Sequence, residues 1–121
     1  MTGPVIDFQA LAETTQRRLS DLPDRVVSGD PHHTTTMRFT SPDNSLMAGT
    51  WTSTPGKWHA FFDRDEFCVF LSGHAQLISE DGHVQDFRAG DSFLIPNGFR
   101  GFWNVLETTT KHFVIRDYSG G

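Results

Sequence analysis

The sequence is poor in the residues that would cross-link a domain or anchor it in a bilayer. Its single cysteine, Cys68, excludes a disulfide within the chain and fits a reducing, cytoplasmic location. No apolar run approaches the roughly 20 residues that span a bilayer. The N-terminal stretch lacks the continuous apolar segment of a signal peptide. We therefore expect a cytoplasmic protein without a membrane partner.

Positive charge is also scarce. The chain has ten Lys and Arg residues against fifteen Asp and Glu residues, a formal net charge of −5 at pH 7. The basic residues do not cluster in the sequence, whereas nucleic-acid-binding domains usually present a basic patch. The composition therefore predicts no nucleic-acid partner.

Aromatic residues are abundant, with eleven phenylalanines and three tryptophans among 121 residues. From Met37 onward, short apolar stretches alternate with turn signals such as SPDN, EDG and AGD at a spacing of about 8–12 residues. This pattern is typical of an antiparallel barrel or sandwich and leaves little room for the helices of a parallel sheet. We predict a single all-β domain over residues 26–121.

The only helix that the sequence predicts lies in the segment of residues 1–25. Asp7 is a suitable N-cap, a weak apolar stripe starts at Phe8, and Pro23 would end the helix. We expect this helix and an extended arm to precede the barrel, with the arm packing along a sheet or reaching a partner subunit.

The order of the turn motifs resembles that of the cupin superfamily, whose two motifs read G-x5-H-x-H-x3,4-E-x6-G and G-x5-P-x-G-x2-H-x3-N. The residues that fit them are His59, Glu66, Gly73, Gly90, Pro96 and Gly98. The stretches GTWTSTPGKW, DEFCVFLSG and AGDSFLIPNGFRGFW are similar to small single-domain cupins related to (S)-ureidoglycine aminohydrolase and to ethanolamine-utilisation cupins. The resemblance covers roughly Val26 to Ile115. It implies a double-stranded β-helix (jelly-roll) barrel and a homodimer.

Two positions depart from the metal-binding pattern of that superfamily. Phe61 stands at the second histidine of the H-x-H pair, and Gly101, which should leave empty space, stands at the histidine of the second motif. Of four usual ligands, His59 and Glu66 remain, whereas a catalytic metal generally has three protein ligands. Cys68 or His112 could add a third for Mn²⁺ or Zn²⁺, but the ligand count favours a site without metal.

Strand alternation predicts which side chains share the barrel interior. Glu66, Cys68 and Phe70 should face the same side, and the resemblance implies that His59 and Phe61 turn inward with them. Candidate walls are Trp51, Phe102 and Trp103. Lys57, Arg100 and Lys111 are candidate anion-binding groups at the mouth, although surface charge is the favoured role for each of them. Such an aromatic cavity with a few polar groups is the usual form of a small-molecule site. The adjacent pair His32 and His33 is expected to be solvated.

Several functions stay open for this cavity. The resemblance to ureidoglycine aminohydrolase implies a manganese-assisted enzyme acting on a small polar acid. Without metal, Glu66 and His59 could exchange a proton as general acid and base. A non-catalytic module that binds a small metabolite is an equal alternative, and an accessory cupin acting through its dimer ranks third. For Cys68, core packing is favoured over a nucleophilic role.

Overall fold

Nine β-strands form nearly all the regular structure in the computed structural model, which describes residues 3–118 except for the Phe61 side chain. They are β1 (Thr15–Arg18), β2 (Val26–Gly29), β3 (His32–Thr40), β4 (Leu46–Ser53), β5 (Gly56–Phe61), β6 (Arg64–Ser79), β7 (Val84–Arg88), β8 (Ser92–Ile95) and β9 (Arg100–Asp117). One turn of 3-10 helix spans Leu19–Asp21. The predicted all-β fold is confirmed.

The predicted N-terminal helix is wrong for the described residues. Asp7 caps no helix, since its side chain accepts a hydrogen bond from the Gln9 backbone N–H at 2.9 Å in a turn. Val5 and Leu11 are almost fully exposed, so a helix here would lack the tertiary packing that stabilises short helices. The chain instead forms β1, which pairs with β3 at the edge of the sheet.

Two long strands, β6 and β9, are the central pair of the sheet that curls into the barrel. They pair antiparallel from Arg64 opposite Asp117 to Ser79 opposite Gly101. The other edge of β9 pairs first with β5 and then with β4, and the other edge of β6 pairs with β8 and β7. Each long strand therefore contributes to both ends of the jelly-roll barrel.

The strand β6 bends where its register against β9 shifts, between Phe70 and Ala75. Gly73 lies within the bend at φ +96°, and a Cβ there would lie 2.4 Å from Thr109 Oγ1 and 2.5 Å from the Thr108 carbonyl oxygen. Glycine alone combines this left-handed backbone with so close an approach of two strands. The bend lets β6 follow the curvature of the barrel.

One end of the barrel interior, here called the closed end, is packed with aromatic rings. The rings of Phe87 and Phe93 stack with centroids 3.9 Å apart, and Phe93 meets the edge of Phe70 at 5.3 Å. Phe70 in turn lies parallel to Trp103 at 6.3 Å. Offset stacks and edge contacts of this kind add to the hydrophobic stabilisation of a core.

The outer face of the sheet carries a row of apolar side chains at neighbouring positions of five strands. They are Phe39, Ala48, Val114, Phe67 and Leu94. All but Ala48 are more than one third exposed.

The homodimer expected from the sequence stays a prediction. Over the described residues, no helix is long and apolar enough to cross a membrane.

Candidate functional site

A cavity of about 400 Å³ occupies the other end of the barrel interior, here called the open end. Trp58, Trp103, Glu66 and Lys111 are buried at its floor, and Trp51 and His33 form a wall. Its remaining lining side chains are Arg17, Leu19, Leu22, Arg25, Thr35, Met37, Met47, Ala60, Phe62, Arg64, Phe113 and Ile115. The volume lies within the range of small-molecule sites.

A buried ion pair forms the floor of this cavity. Lys111 Nζ donates a hydrogen bond to Glu66 Oε2 at 2.5 Å, and the two side chains are only 5% and 4% exposed. Cys68 Sγ lies 3.4 Å from the same carboxylate oxygen and 3.6 Å from Nζ. The three groups meet because Glu66 and Cys68 share the inward face of β6 and Lys111 faces inward from the adjacent β9.

The ammonium of Lys111 is also enclosed by two indole rings. Its Nζ lies 4.5 Å from the centroids of both Trp51 and Trp103, within the range of cation–π attraction. Burial is the largest single influence and disfavours the charge, but Glu66 and Cys68 together raise the pKa of Lys111 above its ordinary value. Lys111 is therefore a cation at neutral pH. The expectation that it lies at the mouth is wrong, since it forms the floor.

Cys68 also keeps its proton at neutral pH, but as a neutral thiol. Burial raises the pKa of its thiol to about 12, and the neighbouring Glu66 carboxylate adds to the effect, although Lys111 opposes it. The thiolate is the reactive form of cysteine. Cys68 therefore acts as a packed, weakly hydrogen-bonding group, in agreement with the interpretation from sequence.

His33 lies in the wall of the cavity, and the expectation that it is solvated is wrong. Its ring centroid lies 4.9 Å from those of Trp51 and Trp58, and its Nε2 is buried with no hydrogen-bond partner in the described part of the chain. Burial, and then the positive charges of Lys111, Arg17 and Arg25, lower its pKa to about 4. His33 is therefore neutral at pH 7.

The sequence contained a signal that identifies His33. In the strand HHTTTMRFT, His33, Thr35 and Met37 alternate, and all three line the cavity. Since alternate residues of a strand share a face, the period of two separates His33 from the exposed His32, which contacts Asp30.

The predicted inward orientation of His59 is wrong. His59 is exposed, with its ring centroid 5.0 Å from that of Phe102 on the outer face, whereas its neighbours Trp58 and Ala60 are buried. The register of β5 against β9 pairs Trp58 with Trp103, which turns both indoles inward and His59 outward. A shift of one residue exchanges the two faces of a strand. The backbone of Phe61 belongs to β5, and its side chain is not part of the structure described.

Gly101 leaves no empty space for a ligand or a metal-binding side chain. A Cβ at this position would lie 2.0 Å from the carbonyl oxygen of Ile78 on the paired strand β6. The glycine permits a close approach of two backbones. The predicted vacancy at this position is therefore wrong.

Two further candidates, Arg100 and Lys57, lie on the outer side of the barrel. The Arg100 guanidinium donates to the backbone carbonyls of Phe62 and Phe99 and pairs with Asp63 at 3.0 Å. Lys57 Nζ lies 4.8 Å from the ring centroid of Phe102. Neither lines the cavity, so the candidate role at its mouth is wrong for Lys57 and Arg100, and the favoured alternative, surface charge, fits their positions.

His112 alternates with Lys111 on β9 and also faces outward, where Nδ1 lies 2.9 Å from Thr50 Oγ1. Within residues 3–118, no three His, Cys, Asp or Glu side chains are arranged to bind a metal ion. The Glu66 carboxylate is neutralised by the Lys111 ammonium. The residues of this cavity therefore do not fit the manganese that the resemblance implies.

Arg17, Arg25 and Arg64 line the cavity and were missed by sequence reasoning. They come from β1, the loop before β2 and the start of β6, so no local pattern brings them together. Among the described lining residues, these three arginines and Lys111 supply four positive charges and Glu66 supplies one negative charge, a formal sum of +3. The whole chain carries −5.

A small jelly-roll barrel that encloses a cavity at one end is the architecture of a cupin. The family model of the EutQ-like cupin domain matches residues 40–113 of the sequence. The chain belongs to this family. No protein with a curated description matches the sequence significantly.

Similar solved structures agree with this assignment. A putative ethanolamine utilization protein Q from Salmonella typhimurium is 22% identical, with 69% of this chain and 68% of that chain covered and a TM-score of 0.63. The EutQ protein of Clostridium difficile is 16% identical, with 90% of each chain covered and a TM-score of 0.66. A DUF861 family protein from Thermotoga maritima is 31% identical over 53% of this chain and 73% of that chain, with a TM-score of 0.52.

Proposed function

We propose that this protein is a metal-independent cupin that binds a small metabolite in the cavity of its open end. The observation that carries the proposal is the buried Lys111–Glu66 pair at the floor of an aromatic cavity of about 400 Å³. A buried ion pair is weak as a stabilising device, because desolvation offsets its Coulombic attraction. Its position at the end of a cavity gives it a use in recognising a polar ligand.

The Lys111 ammonium supplies the positive charge that a metal supplies in other cupins. An ammonium has three N–H donors, and Glu66 and Cys68 take two of them. One N–H therefore remains for a polar group of a ligand in the cavity. The rings on either side keep water away and strengthen the electrostatic attraction.

The protonation states of the cavity favour binding over catalysis. Lys111 is an ammonium and Cys68 a neutral thiol, so neither is a nucleophile at neutral pH. His33, with a pKa of about 4, is a weak base. The Glu66 carboxylate is held by Lys111, and His59, its expected partner in proton exchange, lies on the other face of the sheet. We therefore rank a binding module above an enzyme.

The proposal is tested by a ligand screen read by intrinsic fluorescence, because all three tryptophans of the chain line the cavity. Small carboxylic acids, phosphate esters, amides, sugars and nucleobases are added to metal-free protein. We expect a saturable change in fluorescence and a rise in melting temperature for at least one compound. Addition of Mn²⁺, Fe²⁺, Ni²⁺ or Zn²⁺ should change neither quantity.

A cavity-filling variant shows whether the compound binds inside the barrel. Ala60 is buried and lines the cavity, and Ala60→Leu should weaken binding by about tenfold or more because the added atoms occupy ligand space. Ala89→Leu, the same change at an exposed residue in the turn between β7 and β8, is the control and should leave affinity unchanged. One equivalent of tightly bound metal, or unchanged affinity in Ala60→Leu, would contradict the proposal.

A further inference from the structure

We infer that the ligand is a small anion, a carboxylate or a phosphate ester with a flat apolar body, whose charged group is bound by Arg17, Arg25 and Arg64 at the mouth of the cavity. This inference rests on the proposed function, because it names the chemical class of the compound that the cavity takes.

The three arginines reach the cavity from separate parts of the chain and are held in different ways. Arg25 Nε donates to the His59 backbone carbonyl at 2.7 Å, which fixes the direction of its guanidinium. The Arg64 guanidinium lies 5.3 Å from the ring centroid of Phe62, another lining residue. Arg17 is exposed, on the edge strand β1, and pairs in register with His33. Planar guanidinium groups suit the oxygens of carboxylates and phosphates, which they bind through paired hydrogen bonds.

The positive charges at the mouth are close enough to repel one another. The pKa of Arg25 is lowered, first by burial and then by the charges of Arg64 and Arg17. Glu66, the one carboxylate among the described residues that line the cavity, is used by Lys111 at the floor. A net charge of +3 around one cavity in a chain of net charge −5 would attract an anion and be stabilised by it.

The walls beneath the arginines are aromatic and offer ring faces and edges to the apolar body of a ligand. The rings of Trp51 and Trp58 have centroids 6.2 Å apart, and His33 lies 4.9 Å from both. His33 Nε2 is buried without a partner in the described residues, and a buried polar atom normally has one. A hydrogen-bonding group on the ligand body would satisfy it. Met37 and Met47 add flexible side chains that adapt to the outline of a ligand.

The test compares matched pairs of probes that differ in charge. Benzoate is compared with benzamide, indole-3-acetate with indole-3-acetamide, and phenyl phosphate with phenol, by titration calorimetry on the intact protein. Acetate and inorganic phosphate test the anionic group without the body. We expect the charged member of a pair to bind at least about tenfold more tightly than its neutral partner, because hydrogen bonds between a guanidinium and an anionic oxygen are stronger than those to a neutral group.

Two variants locate the anion, and a third controls for overall charge. Arg17→Gln and Arg64→Gln should each weaken binding of the charged probe by about tenfold and leave its neutral partner unaffected. Arg88→Gln removes the same charge from an exposed residue of β7 that pairs with Asp86. It should leave both affinities unchanged, which separates local contacts from long-range steering.

The outcomes of the titration distinguish the proposal that the cavity binds a metabolite from the inference that this metabolite is an anion. Equal affinity for charged and neutral partners, unaffected by Arg17→Gln and Arg64→Gln, would overturn the anion inference and leave metabolite binding intact. A preference for phenyl phosphate over the carboxylates would assign the ligand to the phosphate esters, and the reverse to the carboxylic acids. Absence of saturable binding in the probe pairs and in the wider screen, with a folded protein, would overturn both.

Discussion

At the closed end of the barrel, Phe70, Phe87 and Phe93 pack ring against ring. At the open end, Glu66 and Lys111 form a buried ion pair beneath a cavity. The same two strands, β6 and β9, build both ends, and Trp103 belongs to both, since it stacks on Phe70 and contacts the Lys111 ammonium. One pair of strands thus carries a stabilising core and a polar site side by side.

The difference shows how the two tasks are divided. Burial of a large apolar side chain stabilises a fold by about 1.5–3 kcal/mol, whereas a buried ion pair contributes little net stability. The closed end therefore supplies stability, and the open end is where we propose that a ligand binds. Changes at the two ends should have separable effects on unfolding and on binding.

The largest effect is expected at the closed end. Phe70→Ala should lower the free energy of unfolding by about 3–5 kcal/mol, because it leaves a void in a packed aromatic core. Phe67→Ala lies on the same strand but on the outer face, where Phe67 is 44% exposed, and should cost less than about 1 kcal/mol. Urea denaturation measures both. Equal losses for the two variants would refute the stabilising role of the closed end.

The second effect concerns the ion pair of the open end. Glu66→Gln and Lys111→Met should each lower stability by about 3 kcal/mol, because each leaves a poorly compensated buried group. The double variant should recover much of this loss, since both charges are gone. The double variant should also lose ligand affinity while remaining folded. Additive losses in a double-mutant cycle of urea unfolding would show that the two side chains do not interact as a pair.

The smallest expected effect is the contribution of His33 to the pH dependence of the free energy of unfolding. Its pKa is about 4 in the folded protein, against an ordinary value of 6.5, so the unfolded chain binds more protons between these two pH values. Stability is then complete above pH 6.5 and falls as the pH is lowered toward 4. With allowance for solvent screening of a partly exposed ring, we expect a loss of about 2 kcal/mol.

Urea denaturation of His33→Gln between pH 4 and 7 measures this contribution, which the variant should lack. His32→Gln, the same change at the neighbouring exposed residue, should keep the dependence of the unmodified protein. A pH profile of His33→Gln identical to that of the unmodified protein would contradict the assignment.

The sequence predicted much of the fold and part of the site. The turn positions and the alternating strands indicated an all-β barrel, and alternation along β6 correctly placed Glu66, Cys68 and Phe70 on one inward face. These features are local, because each depends on residues a few positions apart. The predicted N-terminal helix did not form: Phe8 of its weak apolar stripe packs on His112, but Leu11 is fully exposed, so the stripe as a whole does not pack on the barrel.

The rest of the site was decided by the tertiary structure. Only the pairing of β5 with β9 turned Trp58 inward and His59 outward, and only the pairing of β9 with β6 brought Lys111 within 2.5 Å of Glu66. The three arginines of the cavity come from distant segments. By itself the sequence determined the strands, their turns and the barrel to which they belong, because these follow from local preferences. The register between distant strands decided which charges meet, since a shift of one residue reverses the face of every side chain.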